Sequence, residues 1–187
     1  MTARNLAAEV GTSTTAVYTN FDGMGPLRDA VRSAGFARLR DRLASLPLTS
    51  DPVADVSLCG LAYLAIGIAN PDIYRTMFLE VSIDPGNTMA QEACITPVAA
   101  AVDRCIDMGR FQNAPSELLT GQLWIATHGV VTLAIANMFA HDRMLDYMTG
   151  MSTHLYVGFG DDREASIRSI HQAKRRLADI DMSGALL

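Results

Sequence analysis

Seven prolines divide this sequence into segments that each carry the apolar periodicity of an α-helix. They stand at positions 26, 47, 52, 71, 85, 97 and 115. Proline fits the first turn of a helix, but in a helix interior it removes a hydrogen bond and clashes, so we expect helices to begin or end near these positions. Between them, apolar residues recur at three- and four-residue spacing, and no segment shows the alternation of a β-strand. The pattern predicts an all-α protein.

These segments place the expected helices along the chain. We expect them at about 26–46, 52–70, 71–79, from a loop at 85–87 to about 109 with a start or kink at Pro97, and at 115–140, 142–157 and 163–180. Two of them, 52–70 and 115–140, are apolar on nearly every side, as buried helices are. One body of this size can hardly bury both. We therefore expect 115–140 to face a second subunit.

The N-terminal stretch has the pattern of two short helices joined by a tight turn. The apolar positions of residues 6–10 share one helical face, and Gly11 supplies the backbone freedom that a turn needs. Ser13, or Thr12 before it, can cap the second helix by accepting a hydrogen bond from a free backbone N–H. This arrangement predicts a helix-turn-helix.

The second helix of this motif has an apolar inner face and a polar outer face. Ala16, Val17 and Phe21 are expected to point inward. The outer positions carry hydroxyls and an amide, at Thr14, Thr15, Tyr18, Thr19 and Asn20. A face without carboxylates can approach phosphates and base edges without charge repulsion. We therefore predict contact with DNA, although a polar helix pair of an ordinary globular protein has the same pattern.

Read from Leu6 to Phe21, Leu-Ala-Ala-Glu-Val-Gly-x-Ser-x-x-Ala-Val-Tyr-x-x-Phe resembles the DNA-binding motif of the TetR family of transcriptional regulators. The resemblance implies that Tyr18 contacts phosphate and that its neighbours reach the major groove. The DNA-contacting residues that we expect on this basis are Arg4, Ser13, Thr14, Thr15, Tyr18, Thr19 and Asn20. The family's DNA-binding unit has three helices, and the first would precede Thr2. Since only Met1 does, we expect residues 1–46 to form an incomplete DNA-binding domain with its connecting helix.

A second resemblance covers the later part of the chain. Trp124-x-x-x-His128-Gly129, together with Tyr74-Arg75-x-Met77-Phe78, resembles the C-terminal domain of the Trp-His-Gly subfamily of TetR-like regulators. It implies a helical ligand-binding and dimerisation domain over 47–187, with a homodimer contact through roughly 115–157. The residues expected to line the ligand pocket are Tyr63, Tyr74, Met77, Phe78, Met108, Trp124 and His128. The alternative is that Trp124 and His128 are core residues with satisfied polar groups.

Charge is distributed unevenly between the two expected domains. The net charge is −5, yet residues 1–42 hold six Arg against four acidic residues, which gives this end +2 and the remainder −7. An acidic body with a mildly basic N-terminal end is typical of a protein that touches DNA with one end only. Gly35, in the middle of the expected connecting helix, is either a hinge or a close-packing position.

Residue types that carry catalysis or bind metals are scattered. Cys59, Cys94 and Cys105 stand singly in apolar helical sequence, which is typical of the reduced, buried thiols of a cytoplasmic protein. The four histidines are isolated, and we find neither a nucleophile with its base nor paired carboxylates on one face. We predict no enzyme, no metal, no cofactor and no membrane span.

The sequence thus predicts a cytoplasmic, homodimeric, ligand-responsive transcriptional regulator. We expect a repressor that a small apolar or amphipathic molecule releases from a double-stranded DNA operator. The alternative is a regulator-derived sensor of a ligand or partner that has lost DNA binding, and a helical enzyme is less favoured. The identity of the effector, the operator and the direction of regulation stay open.

Overall fold

The computed structural model describes Arg4, Ala7, Ala8 and residues 11–80 and 85–180. All regular secondary structure within these residues is helical, and the all-α prediction is confirmed. Arg4, Ala7 and Ala8 are helical, and from residue 11 onward the described ranges contain α1 (Thr14–Phe21), α2 (Met24–Ala44), α3 (Pro52–Ala69), α4 (Pro71–Phe78), α5 (Pro85–Cys94), α6 (Thr96–Asp107), α7 (Ser116–Ile135), α8 (His141–Gly158) and α9 (Arg163–Ala178).

Prolines and capping residues account for most helix starts. Proline occupies the first turn of α3, α4 and α6. Asp51 caps α3 by accepting the N–H groups of Val53 and Ala54, at 3.1 and 3.2 Å. The predicted loop at 85–87 is wrong, because Pro85 instead opens α5, and Ile95 separates α5 from α6. Proline is as compatible with a first helical turn as with a loop, so the residue alone did not decide between them.

Helix α3 forms the centre of the fold. It packs against α9, α6 and α7, and 14 of its 18 residues are buried. Both α3 and α7 are long and apolar enough to cross a membrane by length and composition, but 78% of the apolar window of α3 is buried inside the protein, against 44% for α7. Helix α3 is therefore a core helix, as its apolar sequence predicts.

Helix α2 joins the N-terminal end to the body and packs on α4 and α5. Its buried residues are Arg32, Gly35, Phe36, Leu39 and Leu43. The helical period predicts an inner stripe of Leu27, Val31, Ala34, Leu39 and Leu43. The prediction is correct for Leu39 and Leu43 but wrong for Val31 and Ala34, which are exposed. Arg32 lies on the buried side instead, where its guanidinium donates to the carbonyls of Thr76 and Glu80.

Candidate functional site

The turn before α1 has the geometry that its glycine predicts. Gly11 has a φ of +66°, and the turn is closed by hydrogen bonds from the N–H of Thr12 to the carbonyl of Ala7 (2.8 Å) and from Gly11 to Ala8 (3.4 Å). This pair of bonds is the Schellman motif of a helix C-terminus. The side chain of Ser13 accepts the N–H of Ala16 at 3.2 Å and so caps α1. The described part of this stretch has helix-turn-helix geometry, while Leu6 and Val10 lie outside the described residues.

Helix α1 presents the polar face that its sequence predicts. Its exposed residues include Thr14, Thr15, Tyr18, Thr19 and Asn20, and Arg4 is exposed as well. The side-chain amide of Asn20 donates to the carbonyl of Ala16 at 2.8 Å, which leaves its oxygen directed away from that bond. Val17 is buried, whereas Phe21, expected to point inward, is exposed. Among the described helices, α1 packs chiefly on α2, and Val17 is the residue of α1 that is buried.

Part of the positive charge counted for the N-terminal end is not available at the surface. Arg32 is only 3% exposed and its guanidinium lies 2.6 Å from the carboxylate of Asp29. Arg40 pairs with the neighbouring Asp41 at 2.7 Å. The basic character of this end is therefore weaker than the count of arginines suggests.

Five of the seven residues expected to line the ligand pocket meet in one aromatic cluster. Helix α3 contributes Tyr63, α4 contributes Tyr74 and Phe78, and α7 contributes Trp124 and His128. Ring centroids lie 4.9 Å apart for Tyr63 and Trp124, 4.7 Å for Tyr74 and Phe78, and 5.0 Å for Phe78 and His128. Tilted and edge-to-face contacts at these distances are favourable for aromatic pairs. We call these five residues the aromatic cluster.

Three polar groups inside the aromatic cluster bond to one another. The Tyr74 hydroxyl lies 2.6 Å from Nδ1 of His128, and the Tyr63 hydroxyl lies 2.9 Å from Tyr74 and 3.1 Å from the same nitrogen. Burial raises the pKa of Tyr74 to about 12 and that of Tyr63 well above its usual value, and burial lowers the pKa of His128. At neutral pH both phenols therefore keep their protons and the imidazole is neutral. Which of these groups donates and which accepts depends on the tautomer of the His128 ring.

The two remaining pocket candidates lie elsewhere. Met77 is buried, but its side chain faces the connecting helix α2, where its sulfur would lie 2.6 Å from a Cβ placed on Gly35. Met108 follows the last turn of α6 and is 54% exposed. The structure does not bring Met108 to the aromatic cluster. The sequence period of a helix shows which of its faces is apolar, but not which other helix lies beside its last turn.

The space beside the aromatic cluster is small. A cavity of about 20 Å³ adjoins Tyr63 and Trp124, which is room for about one water molecule. Its wall also includes side chains that the sequence did not single out, namely Val56, Cys59, Val98, Leu123, Thr127, Met148, Ser152 and Tyr156. These come from α3, α6, α7 and α8, and no local spacing signals that they converge. A molecule larger than water can enter only if the surrounding side chains or helices move.

Helices α7 and α8 expose apolar side chains. The largest exposed side chains of α7, its following loop and α8 are Leu118, Ile125, Leu133, Met138, Phe139, Leu145, Tyr147 and Val157. Phe139 and Tyr147 pack on each other at 5.4 Å, and the guanidinium of Arg143 lies 5.8 Å from the Tyr147 ring. We call this set the α7–α8 surface. Large exposed patches of apolar side chains mark interaction sites in soluble proteins.

The buried cysteines offer no reactive thiolate. Burial raises the pKa of Cys59 and Cys94 to about 12 and raises that of Cys105 further. A nucleophilic cysteine needs the opposite shift and access to solvent. Among the described residues, no three side chains of His, Cys, Asp or Glu are grouped so that they could hold a metal ion.

This chain is similar to known proteins in both sequence and fold. Residues 56–151 match the family described as tetracyclin repressor-like, C-terminal domain, and this range contains the whole aromatic cluster. A solved structure, described as a protein with unknown function from Rhodococcus sp. RHA1, superposes with a TM-score of 0.73 at 22% identity. The superposition covers 85% of this chain and 84% of the other, and it shows a shared fold. None of the curated proteins matches this sequence.

Proposed function

Because the chain belongs to the TetR family of ligand-responsive transcriptional regulators, we propose that it is a repressor whose α1 reads an operator and whose aromatic cluster receives the effector. The observation that carries the proposal is the convergence of five rings and three polar groups from α3, α4 and α7 inside the matched range. The division into a DNA-reading part at 1–46 and a body at 47–187 is part of this proposal.

The DNA-reading role is supported by the exposed face of α1. Hydroxyls of Thr14, Thr15 and Thr19 and the phenol of Tyr18 can donate to phosphate oxygens or meet base edges, and α1 contains no carboxylate. Arg4 would add a phosphate contact. Ser13 would act mainly by capping α1, because its side-chain oxygen already accepts a backbone N–H.

The effector role is supported by the chemistry of the aromatic cluster. Its rings offer flat apolar surface, and the neutral Tyr63–Tyr74–His128 group can donate or accept one hydrogen bond to a polar atom of the effector. A small apolar or amphipathic molecule suits this combination. Since the adjoining cavity is only about 20 Å³, binding would have to move the rings of the aromatic cluster apart, including Tyr74 and Phe78 of α4, which pack on His128 of α7.

A direct connection runs from the aromatic cluster to the DNA-reading end. Helix α4 carries Tyr74 and Phe78, and its final carbonyls are held by Arg32 of α2. The Arg32 Nε donates to the carbonyl of Thr76 at 2.8 Å, and a terminal nitrogen donates to that of Glu80 at 3.1 Å. Displacement of α4 by an effector would therefore carry α2, and with it α1. An effector shifts the equilibrium only if it favours one of the two arrangements.

We further propose that the α7–α8 surface forms the homodimer interface, within residues 115–157. A two-fold dimer would cover the exposed side chains of Leu118, Ile125 and Met138 on both subunits at once. It would also present two copies of α1 to successive major grooves, about 34–36 Å apart. TetR-family regulators are soluble proteins, and coverage of this surface is compatible with that property.

Selection of bound duplexes from a random DNA library tests the proposal with the full chain. We expect enrichment of a near-palindromic sequence and binding that weakens as salt rises. Thr15→Glu should abolish enrichment, because it places a carboxylate on the face that meets phosphate. Thr96→Glu is the matched control, since Thr96 is exposed at the start of α6, and it should bind normally. No enrichment by the parent chain would contradict the repressor proposal and favour a sensor that does not bind DNA.

A further inference from the structure

A second cavity, of about 210 Å³, lies at the junction of the last turn of α2, the loop that follows it, α3 and α6. Most of its wall is apolar, with Leu43 and Leu46 on one side and Cys59 and Ala101 on the other. The exposed side chain of Leu48 stands at its mouth. This cavity is roughly ten times larger than the one beside the aromatic cluster, and it needs no rearrangement to admit a small molecule.

The polar end of the cavity is formed by Asp55 and Arg104. The carboxylate of Asp55 is 2% exposed and accepts the N–H and hydroxyl of Thr49 (2.9 and 3.0 Å) and one N–H from each of Arg104 and Arg176 (both 2.7 Å). Burial raises the pKa of Asp55, but these hydrogen bonds outweigh it and hold the pKa below its usual value. Asp55 is therefore ionised and saturated, and it offers nothing to a ligand.

Arg104 differs from Asp55, because it has more N–H donors than it uses in its hydrogen bonds within the protein. One terminal nitrogen donates to Asp55, the other donates to the carbonyl of Thr49 at 2.7 Å, and 30% of the side chain is exposed. A guanidinium has five N–H groups, and these two bonds use two of them. Two guanidinium groups, those of Arg104 and Arg176, also face one carboxylate here. The polar end of the cavity therefore favours a ligand that brings a negatively charged acceptor.

The volume of the cavity limits the size of the ligand. A dry apolar cavity of about 150 Å³ holds benzene. The present cavity therefore has room for one ring with a few further atoms, or for a chain of about six to eight carbons. We infer that this cavity binds a small monocarboxylic acid, with its apolar body against Leu43, Leu46 and Ala101 and its carboxylate on Arg104.

This acid site is separate from the aromatic cluster. Cys59 borders both cavities, so its side chain forms part of the wall between them. A bound acid would contact Leu43 and Ala44 of α2 together with α3 and α6, and so would join the connecting helix to the body. The inference does not depend on operator binding or on an effector in the aromatic cluster.

The probe for this site is 4-fluorophenylacetate, followed by fluorine NMR during titration with the full chain. We expect saturable binding, and we expect the neutral 4-fluorophenylacetamide to bind at least roughly tenfold more weakly because it cannot pair with Arg104. Ala100→Phe should weaken binding of the acid at least roughly tenfold, because Ala100 is an exposed residue of the cavity wall and a ring there fills the opening. Ala34→Phe, at an exposed alanine of α2 outside the cavity, should leave binding unchanged.

Tryptophan fluorescence separates the two sites, because Trp124 is the one tryptophan of the chain. Binding of the acid at the proposed site should leave that fluorescence nearly unchanged. Binding with a large change in Trp124 fluorescence and no effect of Ala100→Phe would move the acid to the aromatic cluster and overturn the inference. Absence of saturable binding, or equal binding of acid and amide, would also overturn it, whether or not the chain binds DNA.

Discussion

The two most apolar helices, α3 and α7, have similar lengths and compositions but different surroundings. Helix α3 is surrounded by α6, α7 and α9, and most of its residues are buried. Helix α7 has only eight buried residues of its 20, and it exposes Leu118 and Ile125. A body of this size can surround one such helix but not two, so the surplus apolar area lies at the surface. The hydrophobicity of a helix therefore predicts that it will be buried, but it does not predict whether the same chain or a second subunit buries it.

Truncation in the core helix should have the largest effect. Leu58 on α3 is fully buried, so Leu58→Ala should lower the free energy of unfolding by roughly 2–5 kcal/mol through lost burial and a new cavity. Leu118→Ala on α7 is the matched control, because that leucine is exposed in the single chain, and it should cost less than about 1 kcal/mol at protein concentrations low enough for the chain to be monomeric. Urea unfolding followed by circular dichroism measures both. Equal losses would show that α7 is as buried as α3.

A charge on the exposed face of α7 should separate the proposed dimer. Ile125 is 72% exposed in the single chain, so Ile125→Glu should fold normally yet weaken self-association at least roughly a hundredfold, or about 2.7 kcal/mol, by placing a carboxylate in an apolar interface. Sedimentation velocity across a range of concentrations measures this effect. Thr96→Glu adds the same charge at an exposed polar residue of α6, outside the α7–α8 surface, and should change association little. A parent chain that sediments as a monomer would refute the interface.

Substitution of one glycine in α3 and one in α7 should have a smaller effect and compares the burial of the same two helices. A Cβ on Gly67 of α3 would lie 2.4 Å from Val131 of α7, whereas a Cβ on Gly121 of α7 meets nothing within 4 Å. Gly67→Ala should therefore destabilise the fold by roughly 1–3 kcal/mol through overpacking. Gly121→Ala should stabilise it by up to about 1 kcal/mol through helix propensity. Thermal unfolding of the two variants checks the signs, and a loss at Gly121 would place a partner close to that face of α7.

Protonation of His128 should have the smallest effect on stability. This residue lies where α7 contacts Tyr63 of α3. Burial lowers the pKa of His128, so the unfolded chain binds a proton more readily than the folded one. The stability that the neutral imidazole contributes is therefore complete above the unfolded pKa near 6.5 and is lost as the pH falls below it toward the lowered folded pKa. His128→Gln should remove this part of the pH dependence. Denaturant midpoints at several pH values compare the two proteins, and parallel curves would contradict the assignment.

Much of the fold could be predicted from the sequence, because its signals are local. Apolar period and proline positions predict helices close to those observed, and the cap at Ser13 and the turn at Gly11 depend only on neighbouring backbone groups. The burial of α3 follows from apolar residues on all its sides, for which no other environment is favourable. The sequence motifs that contain Tyr74, Trp124 and His128 also indicated the family and named these residues as part of one site.

Contacts between distant helices were decided by tertiary structure alone. Whether Tyr63 reaches His128, or Met108 does not, depends on how helices cross and end, which sequence period does not encode. Arg32 has the sequence pattern of a surface residue, and its burial is favourable because the carbonyls of Thr76 and Glu80 and the carboxylate of Asp29 accept its N–H groups. Gly35 faces Met77, so the structure favours close packing there over a hinge. Local chemistry thus determined the helices of this protein, whereas the sizes of its cavities depended on the packing of all of them together.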